Sequence, residues 1–327
     1  MVFQCKNCGG TSIFDPDRQK MYCPYCASED SESIVPEKDI SNCPACGAPV
    51  QIGTHTSAGK CTSCGNYIVF DERVTGDYEP HLILPFKFGK KAALDKLREE
   101  FGKRAFAPSD FLAESALNHV EGLYVPFFMY DYHSDYDWAG RAVKIRKWRS
   151  GDTEYTETKT FRLERDISVD FERIPVDASD AMDDKTMDLL EPYDYKALEE
   201  FKAKYMSGFF GEKYNKPAAE LEPRAHAKAE NDSEEILKST MPGYTSIIPE
   251  RRNLILMPKK THYALLPVWI YSYFYRGKMY QFHVNGQSGK LIGKMPISVG
   301  KAWGYTATVF GGVAIIASLL VRILGMF

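Results

Sequence analysis

The sequence has no unpaired cysteine, no large excess of either charge and no secretory signal at its start. Each of its eight cysteines falls in a Cys-x-x-Cys pair, and none is left over. Lys and Arg number 41 against 44 Asp and Glu, a net charge of −3. That balance argues against a protein held to nucleic acid by bulk phosphate contacts. Met1-Val2-Phe3-Gln4-Cys5 has neither a basic n-region nor an apolar h-region, so no secretory leader is expected. Cysteine pairs without an export signal read as metal ligands rather than as a disulfide framework.

Charge is also missing from Ala302 to Val321, a run bounded by Lys301 and Arg322. As a helix it would be about 30 Å long, the thickness of a bilayer's hydrocarbon core. Catalytic motifs are missing too. Val284-Asn285-Gly286-Gln287-Ser288-Gly289-Lys290-Leu291 resembles a phosphate loop, but Val284 stands where the first Gly belongs and Leu291 where Ser or Thr belongs. It reads as a turn between strands. His81, His119, His133, His226, His262 and His283 are dispersed without metal-ligand spacing, and no nucleophile elbow is present. No enzyme is expected.

What the chain does have is a repeated cysteine pattern. Cys5 and Cys8 are followed, after fourteen residues, by Cys23 and Cys26; Cys43 and Cys46 are followed, after the same interval, by Cys61 and Cys64. Each Cys-x-x-Cys turn delivers two thiolates to one tetrahedral Zn²⁺, and the intervening segment suits a β-hairpin that returns the second pair to the first. Gly9, Gly47 and Gly65 follow their pairs where the tight turn favours glycine. The reading is two four-cysteine zinc ribbons with structural zinc. With every position at each ion filled by protein, no open site remains for chemistry; a thioredoxin-like redox role is the alternative. His55 lies inside the second loop and is expected at the surface. Over residues 1–80 six basic residues face eleven acidic ones, a sign that repels a phosphate backbone and favours protein binding.

The spacing divides the chain into ribbon one (1–28), an acidic linker (29–41), ribbon two (42–72), an α+β domain (80–300) and a transmembrane tail (302–327). In the α+β domain, Leu94, Leu97 and Phe101 predict a helix that ends at Gly102, and a second is expected over Asp110–Val120. Strand-like sequence runs from Leu123 to Ile174. A third helix is predicted over Asp194–Met206, and a solvated helix or mobile excursion over Lys213–Lys238. Pro126-Phe127-Phe128-Met129-Tyr130-Asp131-Tyr132 matches Pro267-Val268-Trp269-Ile270-Tyr271-Ser272-Tyr273 in pattern. This points to duplicated antiparallel sheets, with chance similarity as the alternative. Arg276-Gly277 is expected to make a type II′ hairpin turn. Arg141, Lys144, Arg146, Lys147 and Arg149, beside Trp138 and Trp148, read as a solvated strand face, or alternatively as a patch against anionic headgroups.

The four cysteine pairs, with Gly122–Phe128, Leu190–Tyr195, Leu266–Trp269 and Phe282–Lys290, resemble the bacterial TFIIB-type zinc-ribbon membrane proteins, often labelled primosomal helicase-like. The helicase label does not suit the chain, which shows no nucleotide loop. The resemblance implies a membrane anchor or recruiter for a stomatin/flotillin-like (SPFH) or phage-shock protein A-like partner in envelope-stress protection. The expected function is therefore a non-catalytic, membrane-anchored adaptor. Its N-terminal part would be cytoplasmic, because Lys290, Lys294 and Lys301 precede the apolar run and Arg322 alone follows it. The alternative is a membrane-tethered nucleic-acid-binding regulator acting through the ribbons.

Overall fold

The computed structural model describes residues 1–37, 39–111, 113 and 120–325. In chain order the ribbons contribute β1 (Val2–Cys5), β2 (Ile13–Asp15), β3 (Lys20–Tyr22), β4 (Glu32–Val35), β5 (Thr56–Lys60) and β6 (Tyr67–Val69). There follow β7 (Leu82–Ile83), α1 (Lys90–Phe101), β8 (Val120–Ser150), β9 (Thr153–Asp177), α2 (Asp184–Leu190), β10 (Glu199–Glu200) and β11 (Phe210–Glu212). The chain continues through α3 (Ala218–Ser239), β12 (Ser246–Tyr275), β13 (Lys278–Asn285), β14 (Leu291–Gly293) and α4 (Val299–Leu324). The fold is α+β, with two four-cysteine clusters, a large and mostly antiparallel sheet and one C-terminal apolar helix.

β8 and β12 run antiparallel at the centre of that sheet, paired from Val120↔Tyr271 to Val143↔Ser246. Each changes its outer partner at its proline. β8 pairs in parallel with β11 through Leu123 and Tyr124, then antiparallel with β9 from Phe127. β12 does the same with β7 through Ala264 and Leu265, then with β13 from Val268. Counted from Pro126 and from Pro267, the steps are identical. The proline carbonyls accept from equivalent outer-strand amides, Ala178 N to Pro126 O and Gly286 N to Pro267 O, each at 2.9 Å. In an antiparallel strand a residue's N and O point to the same side. The missing proline N–H therefore falls at the joint between two outer strands, where a central strand can tolerate it. The duplication legible in the two Pro-aromatic segments is thus a two-fold arrangement of sheet halves about the Val125↔Leu266 pair.

Alternation along the two central strands builds two cores. Tyr124, Phe128, Tyr130, Tyr263, Leu265 and Trp269 are buried on one face, with α1 packed there through Ala93, Leu97 and Phe101. Val125, Phe127, Met129, Ala264, Leu266 and Val268 are buried on the other, beneath α2. Each large apolar side chain so buried contributes on the order of 1.5–3 kcal/mol.

The helix expected over Asp194–Met206 is absent. Two 3-10 turns, Tyr195–Ala197 and Ala203–Met206, flank β10, which pairs with β7. The periodic residues serve different cores, Tyr195 and Leu198 on the α2 face and Phe201 and Tyr205 on the α1 face. A single helical stripe cannot reach both sides of a sheet, so the chain wraps its edge instead. Lys213–Lys238 is not a mobile excursion: most of it is α3, whose buried stripe Leu221, Ala225, Ala229, Ser233 and Leu237 lies on the sheet. The alanines permit close approach, and the Tyr130 hydroxyl donates to Ala218 O at 2.6 Å. The turn at Arg276-Gly277 has φ of +51° and +75°, which makes it type I′ rather than II′. Leu112 and residues 114–119 of the expected second helix lie outside the described residues; Val120 opens β8.

β8 spans roughly 100 Å at the usual strand rise. Beyond Tyr132 it continues with β9 and β12 as a three-stranded arm, covered on one face by α3 and the turn after it, where Tyr136, Trp138, Ala142 and Leu163 pack with Leu237 and Met241. Past Val143 only the β8–β9 hairpin remains. Near its tip Trp148 and Tyr155 stack with centroids 5.5 Å apart and planes 9° apart, both half-exposed. Arg141, Lys144, Arg146, Lys147 and Arg149 are exposed to solvent along β8, whereas Trp138 is buried.

Candidate metal centres

Four turns of one design position the eight cysteines. In each, the residue after the second cysteine donates its N–H to the carbonyl of the first: Gly9 to Cys5, Ala27 to Cys23, Gly47 to Cys43 and Gly65 to Cys61, at 2.8–2.9 Å. The first cysteine's own N–H is in turn accepted one residue further on, by Gly10, Ser28, Ala48 and Asn66 carbonyls. Closing this turn requires positive φ at the donating residue, +72° at Gly9, +59° at Ala27, +74° at Gly47 and +75° at Gly65. Three glycines meet that requirement without strain. Ala27 meets it with a Cβ.

The hairpins then bring the turns together in pairs. Cys5 Sγ lies 3.6 Å from Cys26 Sγ and Cys8 Sγ 3.5 Å from Cys23 Sγ. Cys43 Sγ lies 3.7 Å from Cys64 Sγ and Cys46 Sγ 3.9 Å from Cys61 Sγ. A tetrahedral ion with four Zn–S bonds of ~2.3 Å needs sulfurs about 3.8 Å apart. The donor set and its dimensions fit one such ion in each cluster. In both groups the four sulfurs lie within 4.8 Å of one another, and all eight thiols are free of disulfides. Cys5, Cys23, Cys43 and Cys61 are buried, while Cys8, Cys26, Cys46 and Cys64 face solvent. The Ser28 hydroxyl, 3.0 Å from Cys26 Sγ, holds that exposed thiol down at about 6, which favours the thiolate a metal requires.

The two centres sit differently in the fold. Ribbon one is closed by β1–β4 and β2–β3 pairing, and β4 lies inside the acidic stretch expected as a linker. Ribbon two is part of the main sheet, because β5 pairs with β11 through Ala58↔Gly211. Val2 of the first ribbon is buried with Cys43, Cys61, Ile68 and Phe70 of the second, so the two share a small core. Among the described residues the histidines join neither cluster; His55 is exposed and its carbonyl accepts from Lys213 N at 2.8 Å. His119 lies outside the described residues. Sequence reasoning did not single out His283, which is buried with an Nε2 that has no hydrogen-bond partner. Burial pushes its imidazole down to about 4. It lines a cleft of about 770 Å³ with Lys185, Leu189, Met279 and Lys294. The segment Val284–Leu291 is a turn, as expected. Asn285 Oδ1 accepts from the amides of Gln287 and Ser288, each at 2.9 Å.

The C-terminal helix completes the picture. Val299–Arg322 is long and apolar enough to cross a membrane, with mean hydropathy 1.8 and none of it buried against the rest of the protein. No family model matches the chain, and no solved structure does. It is 33% identical over 334 aligned residues to YdjG, an uncharacterized protein of Bacillus subtilis (strain 168), and the match covers 99% of this chain and 98% of that one. With its two four-cysteine clusters and apolar C-terminal helix fitting a zinc-ribbon membrane protein, the chain belongs to the family of YdjG.

Proposed function

We propose that the protein is a non-catalytic adaptor anchored in the cytoplasmic membrane by α4, with its ribbons and sheet in the cytoplasm. Two structural Zn²⁺ ions hold the ribbons, and the far end of the sheet recruits a protein partner of the SPFH/flotillin-like or phage-shock protein A-like kind. The observation that carries this reading is the opposition of anchor and arm. β8 starts beside Tyr271, at the end of the sheet where α4 attaches, and ends at the β8–β9 tip roughly 100 Å away. A projecting hairpin with a stacked, half-exposed Trp148–Tyr155 pair offers the rigid aromatic contact typical of protein interfaces. The arm's β12 edge carries Pro249 and Pro258 at its two register shifts, which blunts strand addition there and leaves the tip and the uncovered face for docking. The acidic balance of the ribbons supports protein rather than nucleic acid as the ligand.

The test is a photoreactive phenylalanine analogue placed at Tyr155 in the membrane-bound full chain. A crosslink to an SPFH- or phage-shock-type protein that is lost on Trp148→Ala is the expected result. Tight, salt-steep DNA binding by the purified chain, with no protein crosslink at the tip, would replace the adaptor by the nucleic-acid-binding regulator.

A further inference from the structure

Charge is not distributed evenly along the chain. Residues 251–327 contain ten Lys and Arg and no Asp or Glu, whereas residues 1–250 contain 31 basic and 44 acidic residues, a balance of −13. The basic segment includes both the membrane helix and the β12–β13 hairpin that precedes it. The fold puts these two next to each other. Residues 106–111 bridge them: Ser298 N donates to Phe106 O at 2.8 Å, Lys301 Nζ donates to Ala107 O at 2.8 Å, and the Phe106 ring meets Tyr305. From the same segment Phe111 packs on Tyr271 and Tyr273, and the Tyr273 hydroxyl donates to Asp110 at 2.9 Å. The hairpin tip is therefore at the anchor's end of the sheet.

At that tip Phe274 and Met279 form a cross-strand pair and are 71% and 65% exposed. Together they make an exposed apolar patch on one hairpin face, beside the start of α4. Arg276 and Lys278 adjoin them in sequence, on the Tyr275 side of the hairpin, and Lys294 and Lys185 line the adjoining cleft beside Met279; Asp183 is the acidic residue in that cleft. An apolar hairpin tip with cations on both of its faces, adjoining an apolar span, is the chemistry of an anionic bilayer surface. We propose that the β12–β13 hairpin docks into the headgroup layer beside α4, with Phe274 and Met279 entering the acyl boundary and the basic side chains meeting anionic lipid headgroups. The second contact fixes the sheet's angle to the membrane, which a single helix free to rotate about its own axis does not. The basic strand of the arm has no part in this surface, since the arm leads away from the anchor.

The inference rests on α4 being the anchor, and the experiment separates the two. The full chain and a Phe274→Trp variant are reconstituted into vesicles of phosphatidylcholine with or without phosphatidylglycerol. Both proteins carry Trp148→Phe; Trp138 and Trp269 are buried, so the native Trp303 serves as an internal mark of the anchor's interfacial end and position 274 is read as the difference between the two. In anionic vesicles the tryptophan introduced at position 274 is expected to be shielded from aqueous iodide and quenched by phospholipid brominated near the headgroup. Arg276→Gln or Lys278→Gln in that variant is expected to weaken the docking equilibrium about fivefold each at low salt, the effect of one basic residue near an anionic surface. Vesicles that carry the protein and quench Trp303 but leave position 274 open to iodide overturn the docking and leave the anchor standing. A chain that does not float with vesicles overturns both.

Discussion

Ala27 offers a test of the metal-centre geometry that leaves all eight cysteines in place. Four equivalent turns place one residue each at positive φ, and in three of them that residue is glycine. A Cβ added at Gly9 or Gly47 would meet no heavy atom within 4 Å, and one at Gly65 would meet only the end of Lys60, at 3.9 Å. Space is therefore not the issue, and the cost of a side chain reduces to backbone strain. Left-handed backbone costs an L-residue roughly 1–2 kcal/mol. The lower entropy of an unfolded chain with Ala in place of Gly returns about 0.4–1 kcal/mol of that. The net expectation is that Gly9→Ala, Gly47→Ala or Gly65→Ala weakens its own centre by about 1 kcal/mol, and that Ala27→Gly strengthens the first by a similar amount. Because binding and folding share one free energy at such a site, about 1 kcal/mol corresponds to roughly a fivefold change in zinc affinity. Competition against a chromophoric zinc chelator, with the full chain in detergent, measures it for each centre. Should Ala27→Gly loosen the first centre, or Gly47→Ala leave the second unchanged, the strain argument fails.

Two zinc ions per chain are expected by elemental analysis of protein purified without chelator, with one retained in Cys5→Ser and one in Cys43→Ser. Only Cys43→Ser is expected to speed amide exchange at Phe210–Glu212, because β5 of the second ribbon is paired with that strand; equal exchange in both variants would contradict the shared sheet. Burial holds His283 down at about 4 against an ordinary value near 6.5, so between these values the unfolded chain binds the extra proton. Stability is thus expected to be full above about pH 6.5 and to fall by up to ~3 kcal/mol as pH drops toward 4. His283→Gln should remove that component from urea midpoints compared across this range, and an unchanged pH slope would exclude it. Deleting Ala302–Phe327 is expected to move the protein from the membrane to the soluble fraction, and an alkaline phosphatase fused at the N-terminus is expected to be inactive. Retention of the deleted form would show that α4 is not the main anchor.

The two four-cysteine clusters were legible because a thiolate pair at fixed spacing has few other uses, and the hairpin length between pairs is dictated by the return path. The central strands were legible from Pro126 and Pro267, since a proline amid aromatic and β-branched residues marks a joint in a sheet. What failed was local periodicity read without knowledge of the layers. Tyr195, Leu198, Phe201 and Tyr205 have helical spacing, yet they divide between two cores on opposite sides of the sheet. The charged, alanine-rich stretch now in α3 read as solvated because its buried stripe is made of small residues, whose closeness to the sheet sequence does not announce. The reach of β8 and β9 was legible as strand-like sequence from Leu123 to Ile174. What the sequence did not announce was their pairing with β12 into a projecting arm, because the partner lies about a hundred residues on.

The central pairing of β8 with β12 joins segments far apart in the chain, with β9, two helices and the edge strands made in between. During synthesis β8 and β9 can zip at once as a local hairpin, but the whole inner side of β8 then remains an open hydrogen-bonding edge until β12 is complete. That edge carries Tyr124, Val125, Phe127, Phe128 and Met129, residues destined for the two cores. Such a nascent chain exposes a long, sticky template for pairing with its neighbours. Closure comes only as the segment just ahead of the apolar C-terminal helix emerges; with that helix as the proposed anchor, folding of the sheet and delivery to the bilayer fall close together in time. A chain interrupted before Ser246 is expected to aggregate through β8 rather than persist as a soluble fragment.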